Sequence, residues 1–289
     1  MLLLQLLVNG LQTGALYALT AAGFSLVFGT TRVFHLAHGA TFAIAAYAFY
    51  ALSAAHAHWT LALLAAAAAA MGFGVLLDRA VYAPIRRHEG SFFTLFIASL
   101  GSAIVVQNLI GIAFGRSVVV VNTPLSRSSE VLPGVFVSPL AGVAVLCALL
   151  CFALLHRFLE RTHRGLALRA LAENAELVRA YGLEPARLST LALALGSLLV
   201  VPAAALTVAT TGANPAMGNH VMLISLAATI VGGVGSLRGA ACAGLLLGMA
   251  ENLSLWVLEP QWSEAVTFVV LFLFILARPT GFFGRAQAH

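Results

Sequence analysis

Residues 188–237 run for fifty positions without one Asp, Glu, Lys or Arg. Further uncharged runs cover 91–115, 134–155, 239–250 (extended to 258 across a single acid) and 265–277. A helix needs roughly 20 mostly apolar residues to cross the hydrocarbon core of a bilayer. Runs of this length, repeated along one chain, leave lipid as the solvent. Composition agrees: 9% of residues are charged and mean hydropathy is +0.99, against about 25% charged in soluble domains. In lipid every backbone polar group must be satisfied internally, so only helical bundles and closed barrels remain. Alternating ten-residue strands with polar inner faces are absent, which argues against a barrel. The fold class that follows is all-α: a polytopic transmembrane helical bundle of about eight to nine membrane helices.

The expected helices lie near 3–29, 33–56, 59–77, 91–115, 134–156, 188–211, 219–237, 239–258 and 262–279. The N-terminus, "MLLLQLLVNGLQTGALYALTAAG", has no basic leader region and reads as a first membrane helix, not a cleaved signal. Cys147, Cys151 and Cys242 all lie in apolar runs and have no metal or disulfide spacing. No hydrophilic segment is long enough to fold alone, so residues 1–289 are expected to form one transmembrane domain.

Arginine placement gives the topology. Arg79, Arg86 and Arg87 mark the 78–90 loop, six Arg mark 157–187, and Arg278 with Arg285 mark the tail. Two spans separate the first pair and four the second, both even numbers, so all three are assigned to the cytoplasm, and Arg238 joins them. The 116–133 and 212–218 loops then lie outside, and parity puts the N-terminus outside too. The segment around Arg32 is either a loop or a break within the membrane.

One stretch departs from the rest. Residues 157–187 hold ten of the 25 formally charged side chains. Within them Asn174 is placed to cap a short helix over Ala175–Tyr181. Gly182 stands where a helix-ending glycine belongs, with Pro185 just beyond. Glu176 near the start and Arg179 near the end suit the helix dipole. Leu177, Val178 and Tyr181 give it an apolar side. Two turns are not stable alone in water, so this helix needs a surface: either the membrane, or a cytoplasmic partner that docks on it.

Here the residues become recognisable. "RALAENAELVRAYGLEPARL" resembles the coupling loop of ABC-importer permeases of the branched-chain amino acid, LivH-type family, matching at Arg169, Ala170, Ala172, Asn174, Val178, Gly182 and Leu183. "NGLQTGALYALTAAGFSLVFG" is similar to that family's first helix. "FHLAHGATFAIAAYA" resembles its N-F-A-H-G-E segment. "YAPIRRHEGSFFTLFIASLGSAIVVQN" and "VGGVGSLRGAACAGLLLGMAEN" resemble its middle and C-terminal signatures. Three positions depart from the family pattern: His35 replaces an Asn, Ala40 a Glu and Ala45 a Gly.

The resemblance implies a permease subunit with no catalytic site and no cofactor of its own. It would sit as a multi-pass protein in the bacterial inner membrane, surrounded by lipid. Its implied partners are a second homologous permease, two ATP-binding cassette subunits and a periplasmic substrate-binding protein. Branched-chain or related hydrophobic amino acids are the implied cargo, with urea or short amides served by close relatives. The implied ATPase contacts are Glu173, Asn174, Leu177, Val178, Arg179, Tyr181 and Gly182.

Candidates for the pathway or gate are His35, His38, Gly39, Gly233, Gly235, Ser236 and Glu251. Each has a plainer reading. Gly235/Gly239 and Gly244/Gly248 are spaced for close helix packing. His35 and His38 could share a helix face, but a metal would need a further ligand. Glu251 reads as eight residues inside its span, where an acid is a functional hypothesis by default; a hydrogen bond to Asn252 or to neighbours of Arg238 would be structural. Ser99, Ser102, Gln107 and Asn108 read as glue between helices. A stand-alone ion-coupled transporter would need more membrane carboxylates than Glu251. An intramembrane enzyme would need a G-x-S-x-G, H-E-x-x-H or paired-carboxylate signature, and the sequence has none. There is no G-K-[ST] phosphate loop and no basic stripe interleaved with aromatics for nucleic acid.

Overall fold

The computed structural model describes residues 1–88, 90–278 and 280–283. Arg285, part of the expected basic tail, lies outside the described residues. The chain forms α1 (Leu2–Thr31), α2 (His38–Ala54) and α3 (Trp59–Leu77), which continues through a π-helical turn (Asp78–Tyr82) into α4 (Ala83–Arg87). Next come α5 (Phe92–Phe114), a hairpin of β1 (Ser129–Leu132) and β2 (Val135–Val137), and α6 (Pro139–Arg161). Two short helices, α7 (His163–Glu173) and α8 (Ala175–Ala180), precede α9 (Pro185–Thr210), α10 (Met217–Gly232), α11 (Leu237–Ser254) and α12 (Ser263–Ala277).

Six segments are long and apolar enough to cross a membrane: α1, the rod Trp59–Arg87, α5, α6, α9 and Pro260–Ala277. Helices α10 and α11 qualify only as a pair, bent by 120° at their junction. Counted singly with α2, they bring the apolar helices among the described residues to the expected eight to nine.

The two faces of the bundle are set by contacts at the ends of α1. Gln5 Nε2 donates to the Phe136 carbonyl at 3.0 Å, and Phe136 N–H donates to Gln5 Oε1 at 2.7 Å. Val119 and Ala213 exchange backbone hydrogen bonds of 2.8 Å. So the N-terminus, the 116–138 connection and the 212–216 turn share one face. At the other end, the Arg32 guanidinium donates to the Ala172 carbonyl at 3.2 Å. Arg238 reaches toward Glu160 at 4.0 Å, so the arginine-rich segments gather on the opposite face, as the arginine parity required. Below, "outer" and "inner" name these faces.

Helices α1 and α9 form the centre, rich in Ala and Gly, and so closely approached. Helix α11 runs antiparallel to α1: a Cβ on Gly244 would lie 2.6 Å from Ala18 N, and one on Gly248 would lie 2.3 Å from Gly14 N. These glycines do what their spacing predicted. The pair Gly235/Gly239 does not, because Gly235 lies in the α10–α11 turn and Gly239 packs on Gly232 inside that bend.

Three further expectations change. The helix expected from residue 33 begins at His38. Residues 33–37 return from the inner face as irregular backbone with Val33, His35, Leu36 and Ala37 all buried. Non-helical chain is tolerated at membrane depth only when protein covers it. The helix expected to reach 258 stops at Ser254, so Glu251 lies one turn from its end and not deep in a span. Val178, expected to meet a partner, is 2% exposed.

Candidate functional site

The polar block folds as its sequence asks. Thr162 Oγ1 accepts from Gly165 N–H at 3.0 Å and starts α7. Asn174 Oδ1 accepts from Glu176 and Leu177 N–H at 2.9 and 3.0 Å and starts α8. Gly182 ends α8 at φ +77°, and Leu183 N–H closes the turn onto the Val178 carbonyl at 3.2 Å. Pro185 then opens α9 at a position where its missing N–H costs nothing.

Val178 turns inward among Leu168, Leu171 and Leu188, which also pack on Ala22 and Leu26 of α1. It anchors α8 to the bundle, which explains why it cannot be a contact residue. Leu177, Tyr181, Leu183 and Leu166 turn outward, with Tyr181 78% exposed. With Ala167, Ala170 and Leu188 they border an apolar groove of about 530 Å³ on the inner face. Beside it, Arg179 and Glu173 border a second cleft with Arg32, Arg86 and Arg87. So α8 is a capped helix with one side in the core and one apolar side exposed.

The expected pathway residues do not come together. His35 and His38 are buried at the α1–α2 junction, with ring centroids 5.9 Å apart. His35 Nδ1 bonds Tyr82 Oη at 2.8 Å; Tyr82 O–H donates to Ser99 Oγ at 2.9 Å, and Ser99 Oγ also accepts from Ala37 N–H at 2.9 Å. His38 Nε2 bonds the Thr20 carbonyl at 2.9 Å. These bonds supply the backbone and side-chain partners that the irregular 33–37 segment lacks. Gly39 meets Gly218 at the start of α10, where a Cβ would lie 1.9 Å from the Gly218 carbonyl oxygen.

Gly233, Gly235 and Ser236 make the inner turn between α10 and α11. Both glycines have positive φ, and Ser236 Oγ accepts from Gly239 N–H at 3.0 Å. The turn rests on Gly29 of α1 and is strapped by Phe282 and Phe283, whose N–H groups donate to the Val231 and Gly232 carbonyls at 2.9 and 3.1 Å.

Glu251 lies at the outer end. Tyr17 O–H donates to Glu251 Oε2 at 2.9 Å, the same hydroxyl lies 3.0 Å from His220 Nε2, and His220 Nδ1 reaches Glu264 Oε1 at 3.1 Å. Asn252, one of the partners expected for Glu251, instead donates to the Gly248 carbonyl at 2.9 Å, and the bond that Glu251 accepts comes from Tyr17 and not from a neighbour of Arg238. The chain of four side chains borders an outer cavity of about 490 Å³, together with Thr207, Thr210 and Asn214. Among the described residues no three His, Cys, Asp or Glu side chains group as a metal site would require.

Sequence reasoning passed over Asp78. It is 1% exposed, pairs with Arg86 Nη2 at 2.6 Å and accepts the Thr190 hydroxyl. That links the π-helical turn to the start of α9, next to the polar block. The available signal was an acid among Arg79, Arg86 and Arg87 at the end of an apolar run.

A protein-family model described as "Branched-chain amino acid transport system / permease component" matches residues 6–275. The chain is 32% identical over 300 residues to the high-affinity branched-chain amino acid transport system permease protein BraD of Pseudomonas aeruginosa, covering 99% of this chain and 97% of that one. It is 28% identical to the permease proteins LivH of Salmonella typhimurium and Escherichia coli K12, at the same coverage. Among solved structures it resembles PsaBC from Streptococcus pneumoniae in complex with Fab, with TM-score 0.55 and 11% identity over 94% of this chain and 91% of that one. The last likeness concerns the fold alone.

Proposed function

The chain belongs to the family of permease components of branched-chain amino acid transport systems, and from that membership we propose that it is the membrane-spanning subunit of an ATP-driven importer. It carries branched-chain or related hydrophobic amino acids across the bacterial inner membrane. It has no catalytic site of its own; two ATP-binding cassette subunits bind its inner face and supply the energy. A second homologous permease completes the pathway, and a periplasmic protein delivers cargo to the outer face.

The observation that carries this reading is the apolar groove beside α8. Exposed Leu177, Tyr181 and Leu183 on a water-facing segment of a membrane protein mark a docking surface. Glu173, Arg179 and the caps Asn174 and Gly182 hold and flank that surface, while Val178 fixes it to α1 and α9. ATPase closure pushes on α8, and the α8–α9–α1 core passes the displacement to the membrane helices as a rigid body. His35, His38 and Gly39 brace the α1–α2–α10 junction. Gly233, Gly235 and Ser236 form its inner turn. Glu251 holds α1 to α11 at the outer cavity.

The test is uptake of labelled leucine, isoleucine, valine and urea by cells lacking and regaining this chain. Leucine, isoleucine and valine uptake should return with the wild-type chain and fall in Glu251→Gln without loss of the assembled complex. Restored urea uptake with unchanged amino-acid uptake would overturn the substrate assignment.

A further inference from the structure

The face of α5 away from the bundle carries amides where lipid would be expected. Helix α5 packs on α2 and the π-helical turn through Leu95, Ser99 and Ile110. Its opposite side exposes Phe93, Ile97, Leu100, Ile104 and Ile112. Asn108 is exposed on that same side, roughly 9 Å below the outer end at Phe114 by helix rise. Beside it, Asn219 in the first turns of α10 donates to Gln107 Oε1 at 3.3 Å across the two helices. Asn108 Nδ2 donates back to the Ile104 carbonyl at 2.8 Å. Among the described residues Asn108 Oδ1, Gln107 Nε2 and Asn219 Oδ1 have no hydrogen-bond partner.

An amide without a partner in hydrocarbon costs several kcal/mol. Three such atoms on one patch where α5 and α10 meet are therefore not in lipid. The patch adjoins a cavity of about 370 Å³ bordered by Gln107, Asn108, Arg116, Asn214 and Pro215, on the outer side. Toward the inner face the same side of α5 becomes wholly apolar at Leu100, Ile97 and Phe93. The cavity forms a vestibule on the outer side, with the amide band at its border.

We propose that Gln107, Asn108 and Asn219 form the substrate-facing floor of that vestibule, and that the α5–α10 face is covered by the second permease subunit. This rests on the permease reading above. The occupant is argued by the amides, which lipid cannot satisfy, and by their setting: exposed on a helix face of a membrane protein and bordering a cavity on the outer side whose one charged lining residue, Arg116, lies beyond the end of α5. Amides both donate and accept, so they can meet the ammonium and the carboxylate of a zwitterionic amino acid without a net charge to trap it. No ionised side chain lies on this side of α5 between Phe92 and Phe114. Weak, neutral contacts suit a path that must release what it binds.

The experiment uses the whole complex in a background carrying Cys147→Ser, Cys151→Ser and Cys242→Ser. Asn108→Cys and Asn219→Cys are each exposed to a membrane-impermeant methanethiosulfonate from the outside. Leu146→Cys, on the lipid-exposed side of α6 at similar depth, is the control. A thiol in lipid ionises poorly and reacts slowly, so both test positions should react at least about tenfold faster than Leu146→Cys. L-leucine with its binding protein should slow their reaction, and labelling should stop uptake. Reaction at the control rate, or fast reaction that leucine does not slow, would overturn the inference. If Asn108→Cys fails to assemble, Asn219→Cys decides alone. Leucine uptake by the unlabelled background complex is measured first: its absence would contradict the permease reading itself, whereas its presence with inert test positions would contradict only the vestibule.

Discussion

Asp78 and Arg86 make a buried ion pair at the inner face, and their removal separates pairing from mere charge. The carboxylate is nearly inaccessible, with Arg86 on one oxygen and Thr190 on the other. Arg86→Ala leaves that carboxylate buried with a single hydroxyl. Removing one member of such a pair costs about 3–5 kcal/mol, somewhat less here because Arg86 is 28% exposed. Thermal unfolding in detergent should fall clearly for Arg86→Ala and much less for the double variant Asp78→Asn/Arg86→Ala; equal losses would mean the pairing contributes nothing. At this scale legibility was uneven. Glu251 stood out because an acid in an apolar run is rare. Tyr17 and His220, which hold it, did not, because no sequence spacing ties residue 17 to residues 220 and 251. Val178 followed the apolar side of α8 correctly, but sequence could not tell the side facing the bundle from the side facing water.

At the scale of elements, α8 was readable from its caps because capping is local chemistry. Asn174, Gly182 and Pro185 act through bonds and dihedrals within a few residues. Helix α2 was not readable. Residues 33–37 contain no Pro or Gly, so nothing local ends the apolar pattern, and the break is held by Ser99 and Tyr82 from distant segments. Helix α11 was read too long for the same reason: Leu255–Leu258 stay apolar after the helix has turned. The α8 caps give a direct test. No atom lies within 4 Å of a Cβ built on Gly182, so Gly182→Val is strained only through its φ of +77°. That strain costs about 1–2 kcal/mol in a left-handed residue, and Asn174→Ala should cost about 1 kcal/mol through the lost cap. Both variants should insert normally, yet bind less ATPase or hydrolyse ATP without leucine uptake. Wild-type ATPase binding and uptake in Gly182→Val would reduce the block to a solvated loop.

Across the whole molecule, arginine counting sorted the loops into the two groups that the structure places on opposite faces, because membrane insertion obeys the loops and not the core. The contacts Gln5–Phe136 and Arg32–Ala172 place the ends of α1 on the faces that parity required. What arginine counting cannot give is which helices pack together, since lipid-facing and protein-facing Ala, Leu and Gly look alike in sequence. Cysteines at Ser128 and Asn214 should label from outside intact cells, and one at Arg164 only after the membrane is opened; the reverse pattern would invert the topology. The central claim is that this chain conducts amino acids only when separate ATPases drive it. Its most direct test is leucine accumulation in proteoliposomes that contain the chain, its partner permease, both ATPases and the binding protein. The account predicts ATP-dependent accumulation that disappears when the ATPases are omitted. Leucine uptake by the chain without ATPases or ATP would contradict it.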